Sequence, residues 1–380
     1  MVFLPLFISK SMKILPFVLI FFVALLAQFY TSLRIWQYIP LTNIGKSVAT
    51  LFYNVGFVCM LLFCLLTFKE QLIGFRFSQF VYECGTSALF VLLYLTLLFG
   101  LIDLLRLAPI VPTSFCRDSW LGTGVVSAVM LGVFFYANWN YHQKVKVELD
   151  LPTGKDSVRK PVRLLMASDL HLGYHNRRSE FAKWVDMINQ EQPDAVLLAG
   201  DVVDFSVVPL LDEKTAEEFS RIKAPVFVCY GNHECIKGQK KAKAFFDAAG
   251  VTLLCDSVAE LPDLGIKIIG RNDFTFRRIR QPLSELVEPN DSLYTIVLDH
   301  QPFHLEEAEE SGADFQFSGH THNGQMWPVN LVIDAMYEKG YGFHQRGNTR
   351  YYVTSGLGIW GAKFRLASQS EYVVATVGRK

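Results

Sequence analysis

The chain falls into two halves by the spacing of its apolar residues. Up to His142 they come in long unbroken runs, and beyond it in short ones separated by polar turns. Four runs, Ile14 to Leu33, Ser47 to Phe68, Cys84 to Leu105 and Ser119 to Trp139, each approach the ~20 residues a helix needs to cross a hydrocarbon layer. Buried soluble helices can be as apolar. Four in succession with few internal charges instead predict four transmembrane helices, a multi-pass anchor over residues 1–140. Lys10 and Lys13 resemble the charged start of a secretory signal, yet no small-residue cleavage site follows, so the first segment is expected to be retained. Met12-Lys13 offers an alternative start.

From Tyr141 the pattern changes, and a second domain is expected over residues 141–380. Val145, Val147 and Leu149 alternate with polar residues, as in an edge strand. Short apolar runs then read as buried strands over Val162 to Ala167, Ala195 to Ala199, Pro225 to Tyr230, Leu293 to Leu298 and Phe315 to Phe317. Between the first two, Phe181, Trp184, Val185 and Ile188 fall at helical spacing behind Ser179, a residue type that caps helices, and Pro193-Asp194 ends the run. Strand, helix and strand in alternation predict an α/β layered domain.

Composition sharpens this division. The 380 residues are 51% hydrophobic and 19% charged, more apolar than soluble averages. Through His142 there are 8 Lys/Arg and 4 Asp/Glu, leaving 28 and 32 for the rest, so a net neutral total hides a basic half and an acidic one. The acidic half lacks an extended basic stripe, which argues against nucleic acid as a partner. Glu83 and Asp103 lie near segment ends rather than mid-membrane, which disfavours transport. Trp36, Tyr38, Trp120, Trp139 and Tyr141 suit the aromatic belts of a membrane interface. Four of the seven cysteines lie in or beside the apolar runs, and Cys229, Cys235 and Cys255 cannot all pair with one another, so free thiols are expected.

The candidate chemistry lies where the strands of the second half end. Asp169-Leu170-His171, Gly200-Asp201, Gly231-Asn232-His233-Glu234, His300 and Gly319-His320-Thr321-His322 each follow an apolar run, so their side chains would gather at one edge of a sheet. A lone histidine is more often structural than a ligand. An ordered set of imidazoles and carboxylates points instead to a binuclear metal hydrolase, and to Mn, Fe or Zn before Ca or Mg. His142, His175, His304 and His344 lack such context.

The order of these motifs resembles the calcineurin-like metallophosphoesterases, and Gly319 to Gln325 with Ser355-Gly356-Leu357-Gly358 resemble that family's bacterial branch of membrane-associated phosphodiesterases. That branch usually carries Gly where Asn323 stands, a departure that bears on backbone conformation more than on metal binding. The resemblance implies a four-layer α/β/β/α sandwich. It also implies that Asp169, His171 and His322 bind one metal, that Asn232, His300 and His320 bind the second, and that Asp201 bridges both. Two such ions about 3.5–4 Å apart polarise a bridging water into hydroxide and hold the phosphoryl oxygens. His233 is expected to act as a general acid or charge stabiliser rather than a ligand, and Asp204 to stand behind the ligands. No tyrosine stands nearby to ligate ferric iron, so a purple acid phosphatase is not expected.

Arg177, Arg178 and Arg271 are expected to grip substrate phosphates, with Arg277, Arg278, Arg280 and Arg365 as further candidates, because guanidinium suits bidentate phosphate contact. The expectation is a membrane-anchored phosphoesterase with two divalent metals, manganese foremost, acting on a phosphodiester or pyrophosphate in a lipid-linked substrate. The alternatives are a phosphomonoesterase or protein phosphatase, or a silent receptor on the same fold. Lys10, Lys13, Lys69, Arg76, Lys144 and Lys146 near one membrane face outnumber Arg34, Lys46, Arg106 and Arg117 near the other, which predicts a cytoplasmic catalytic domain.

Overall fold

The computed structural model describes residues 10–66, 75–236, 238–288 and 291–379, so Phe68 and Lys69 and the segment before Lys10 lie outside the described residues. It contains two compact units, residues 1–72 with 80–135, and residues 73–79 with 136–380.

Helices α1 (Lys10–Tyr38), α2 (Asn43–Leu66), α3 (Phe75–Leu107) and α4 (Trp120–His142) follow the four apolar runs and lie in the first unit, except that the start of α3 and the end of α4 belong to the second. All four are long and apolar enough to cross a membrane, over Val18–Tyr38, Asn43–Phe63, Arg76–Leu107 and Trp120–His142. Many of their large apolar side chains are exposed, above all in α1 and α4, while Tyr38, Leu95, Phe99, Ile102 and Val126 form a buried seam. At one end of the helices Asp103 pairs with Arg34 and accepts a bond from Tyr30, and Lys46 pairs with Asp118.

The second unit is built on two six-stranded sheets. One holds β1 (Lys144–Thr153), β12 (Ser370–Arg379), β2 (Val162–Ala167), β3 (Ala195–Ala199), β4 (Val226–Cys229) and β5 (Thr252–Leu254) in that order. The other holds β10 (Gly342–Arg346), β11 (Thr349–Val353), β9 (Phe315–Ser318), β8 (Tyr294–Leu298), β7 (Ile266–Gly270) and β6 (Ser257–Leu261). Strands β2 to β5 run parallel, as do β7, β8, β9 and β11. The helices are α5 (Arg178–Gln190), α6 (Val208–Asp212), α7 (Ala216–Phe219), α8 (Asn232–Ile236), α9 (Gln239–Ala249), α10 (Glu306–Ser311) and α11 (Val329–Met336).

Strand β2 shows why its residues from Leu164 to Ala167 are all apolar. Leu164 and Met166 enter the core between the sheets with Leu197, Phe227, Ile268, Ile296 and Phe317. Leu165 and Ala167 face the opposite way, under Phe181, Trp184, Phe245 and Phe246 of α5 and α9. Ile269 and Val297 on the far face of the second sheet are covered by Leu283, Leu305 and Ala308. The result is helix, sheet, sheet and helix in layers, with both faces of the central strands dry. Each fully buried aliphatic or aromatic side chain contributes roughly 1.5–3 kcal/mol of apolar burial.

The helix expected behind Ser179 is present and buries the expected face, Phe181, Trp184, Val185 and Ile188. Its cap differs. The helix begins two residues earlier, at Arg178, after an extended Arg177 with no side-chain cap, so Ser179 lies inside the first turn. Glu213 supplies what a cap would, its carboxylate accepting the Arg178 N–H at 3.0 Å.

Candidate metal centre

Strand ends deliver the side chains. β2, β3, β4, β8 and β9 stop at Ala167, Ala199, Cys229, Leu298 and Ser318, and two or three residues later come Asp169, Asp201, Asn232, His300 and His320. All leave the same, carboxyl-terminal edge of parallel strands, the edge where α/β sheets place their ligands.

Packing so many side chains into one spot strains the backbone. Asp169, His171, Asp201, His320, His322, Asn323 and Gln325 all take positive φ, between 44° and 71°, and make up seven of the thirteen such non-glycine residues described. Left-handed backbone is costly for residues with a Cβ and clusters at functional sites. Asn323, at φ 48° and ψ 41°, holds the conformation that glycine would supply, and asparagine tolerates it better than most residues. Two glycines clear the remaining space. A side chain at Gly231 would overlap the Asp201 carboxylate, and one at Gly319 would overlap Ser168 and Asp169.

Asp201 is the centre of the cluster. Its Oδ2 lies 3.1 Å from His300 Nε2 and 3.8 Å from His171 Nε2, while its Oδ1 accepts the His233 N–H at 2.9 Å. On one side, His171 Nε2 and His322 Nε2 face each other at 3.2 Å, with Asp169 Oδ1 3.7 and 3.4 Å from them. On the other, His300 Nε2 lies 3.2 Å from Asn232 Oδ1, and His320 joins Asp201 and His300 in a group able to hold a cation. Asp169, His171 and His322 form a second such group, and His171, Asp201 and His233 a third.

Whether these residues suit metal ions is tested by their outward hydrogen bonds. His300 Nδ1 lies 2.8 Å from the Ala199 carbonyl, which can only accept, so Nδ1 carries the proton and Nε2 turns its lone pair inward. His171 Nδ1 is held likewise by Asp204 at 3.3 Å. Two imidazole nitrogens facing each other at 3.2 Å repel unless a cation or proton lies between them. On this ground the residues fit metal binding.

Electrostatics agree. Burial opposes ionisation of Asp169 and Asp201, yet the surrounding imidazoles hold both carboxyls well below the usual range. Burial pushes His320 down to about 4 and His322 to about 3, leaving both neutral, the form that ligates metal. Burial disfavours charge on His171 as well, but the Asp169 and Asp204 carboxylates raise it to about 10, so positive charge is drawn into this space.

Outer partners lock the loops together. Glu234 accepts N–H bonds from Asp201, Val203 and Gly231 at 3.1, 2.8 and 2.7 Å, tying the two loops that carry Asp201 and Asn232. Burial and the Asp201 charge raise its carboxyl to about 7. Asp204 Oδ1 also stands 3.0 Å from His233 Nδ1. Arg365 is fully buried, and its guanidinium donates to the carbonyls of Ser355 and Gly358 at 2.7 and 2.8 Å and, at longer range, to those of Gly356 and His322.

The arginines expected at the substrate sit elsewhere. Arg177 pairs with Glu213, and Arg178 with Glu217 and Glu218. Arg271 is buried between Glu307 and Asp256, in the wall of a cavity of about 530 Å³ shared with Arg277 and Arg280, which none of the clustered histidines lines. Arg365 contacts carbonyls rather than open space. Sequence reasoning gave no role to Glu234, although it stands inside a quoted motif, nor to Phe205 and Trp360. Phe205 packs 4.6 Å from His233, ring centre to ring centre, and 6.3 Å from Trp360. Single aromatics carry no spacing signal that would have marked them.

Paired sheets with an imidazole and carboxylate cluster at the strand ends are the architecture of a metal-dependent phosphoesterase. Residues 162–324 match the family described as calcineurin-like phosphoesterase, and the chain carries a domain of that family. Similar curated proteins include an uncharacterised metallophosphoesterase of Helicobacter pylori, 29% identical over 64% of this chain and 66% of its own length. A transmembrane protein with a metallophosphoesterase domain from Danio rerio is 28% identical over 74% of this chain and 69% of its own. Phosphodiesterase YaeI of Escherichia coli is 28% identical over 52% and 76%. The chain thus matches just under two thirds of the length of the Helicobacter relative.

Proposed function

We propose that this protein is a membrane-anchored phosphoesterase that uses two divalent metal ions, manganese foremost, to hydrolyse a phosphodiester or pyrophosphate bond in a lipid-linked substrate, with its catalytic domain in the cytoplasm. The observation that carries the reading is the gathering of inward-turned imidazoles on both sides of the Asp201 carboxylate. Asp169, His171 and His322 would hold one ion, Asn232, His300 and His320 the other, and Asp201 both. Bound there, the ions supply Lewis acidity, lowering the pKa of water and offsetting charge on the phosphoryl oxygens.

The chain's own residues do the rest. Glu234 fixes the two loops on which the site depends, and Asp204 orients His171 and His233 together. His233, at the edge of the cluster, gives its Nε2 proton to the leaving oxygen. Phe205 packs on His233, and Trp360 packs on Phe205 in turn, a run of apolar surface that suits a lipid chain beside the scissile bond. The names of the Danio and Escherichia relatives support the membrane and diester parts of the reading.

The test is a substrate screen on the purified full chain with manganese, against bis-p-nitrophenyl phosphate, the monoester and a lipid-linked pyrophosphate. Turnover of the diester or the lipid pyrophosphate ahead of the monoester is expected. Asp201→Asn should remove nearly all activity and lower the bound metal from about two ions per chain. A fully active Asp201→Asn protein sinks the binuclear assignment, and a monoester preference moves the reading to a phosphomonoesterase.

A further inference from the structure

We infer that helix α11 and the loop entering it lie in the headgroup layer of the membrane, giving the catalytic unit a peripheral lipid contact beside the metal cluster. Six of the eight residues of α11 are apolar, all but Asn330 and Asp334, and none of the eight is buried. Trp327 is 50% exposed, Leu331 57%, Val332 53% and Met336 61%. A helix of this composition on a soluble domain turns an apolar stripe to the core. This one turns its apolar side chains outward, and a tryptophan stands at its start, the residue type that favours membrane interfaces.

What covers this surface follows from where it hangs. Gln325, two residues before Trp327, accepts the N–H groups of Leu366 and Ala367 at 2.9 and 3.2 Å and donates to the Trp360 carbonyl at 3.2 Å. The strap from Trp360 to Ser368, to which these partners belong, also receives the last turns of α4. Asn138 donates to Lys363 O at 3.0 Å, Arg365 N–H to Ala137 O at 3.0 Å, and Asn140 to the carbonyls of Arg365 and Ser368 at 3.0 and 2.9 Å. All these residues belong to one compact unit. The exposed helix is therefore joined by a hydrogen-bonded strap, with no loose linker, to the end of a helix apolar enough to span a bilayer. A lipid surface is the occupant that this continuity selects. His322 lies three residues before Gln325, so the loop that meets the lipid is the loop that carries two of the clustered histidines.

The inference rests on reading Trp120–His142 as a membrane span, and the experiment separates the two. The full chain is placed singly in lipid nanodiscs and spin-labelled through Leu331→Cys, Val332→Cys or Met336→Cys, with the labelled native chain as background. Leu131→Cys reports on the span, and Glu217→Cys on an exposed helix of the catalytic unit. Relaxation by oxygen, which partitions into lipid, is compared with relaxation by a water-soluble nickel chelate. Labels at 331, 332 and 336 should favour oxygen several-fold over the label at 217. If 131 favours oxygen while those three favour nickel, the peripheral contact is wrong and the span stands. If 131 itself favours nickel, the membrane reading fails first. Shielding of the three labels from both reagents means that protein covers the helix, which also overturns the inference.

Discussion

His233 is the residue whose role the geometry leaves between two chemistries. Its Nε2 stands 4.0 Å from Asp201 Oδ2, within the group that also contains His171, so it has the reach of a ligand. Its other nitrogen faces Asp204, which would equally well orient a proton donor. His233→Ala is expected to keep its metal and lose turnover by ~10²–10⁴, the usual worth of general acid help. The deficit should shrink for diesters with strongly acidic leaving groups, which need no proton. Metal analysis decides the matter, because loss of an ion from the variant would make His233 a ligand. Which residue types gather here was legible from motif order. The left-handed backbone of Asp169, His171 and Asp201 was not, since no pattern of residue types reports φ where the residue is not glycine. Asn323 is the partial exception, an asparagine at a glycine-like position.

At the scale of elements, the parallel strands β2, β3, β4, β8 and β9 were readable because nearly all their residues are buried and most are apolar. β6 and β10 were not, because alternate residues face solvent and the runs are short. Nor could the sequence show that β12, the last strand, inserts between β1 and β2, since pairing across more than 200 residues leaves no local mark. The strap before β12 carries Arg365, which looked like a phosphate contact and instead holds the turn from Ser355 to Gly358 against the His322 loop. Burial pushes its pKa down to about 10, still far enough above neutral for the guanidinium to stay charged. Lysine keeps the charge but cannot serve these carbonyls as a fork. Arg365→Lys should therefore weaken metal binding by ~10–100-fold, as loss of a supporting partner commonly does. Equilibrium dialysis checks this, with far-ultraviolet circular dichroism to show the fold retained. Unchanged metal affinity would reduce Arg365 to a packing residue.

For the whole molecule, the proposed anchor predicts the side of the membrane on which the second unit would lie. Arg34 and Lys46 are both engaged at one end of the first unit, by Asp103 and Asp118, and Arg106 lies 3.9 Å from the same Asp103. Lys144 and Lys146 come just after the opposite end of α4, in β1, and Arg76 stands near the start of α3. Basic residues flanking short loops set orientation, so the end bearing Lys144, Lys146 and Arg76 is expected in the cytoplasm. Four crossings would return the chain to the side on which it began, which makes the expectation testable twice. A fluorescent reporter that folds only in the cytoplasm should be active at the C-terminus, and an identical one at the N-terminus should match it. A phosphatase reporter that works only outside should be silent at both ends. Activity of the outside reporter at the C-terminus would reverse the orientation, and opposite results at the two ends would mean an odd number of crossings.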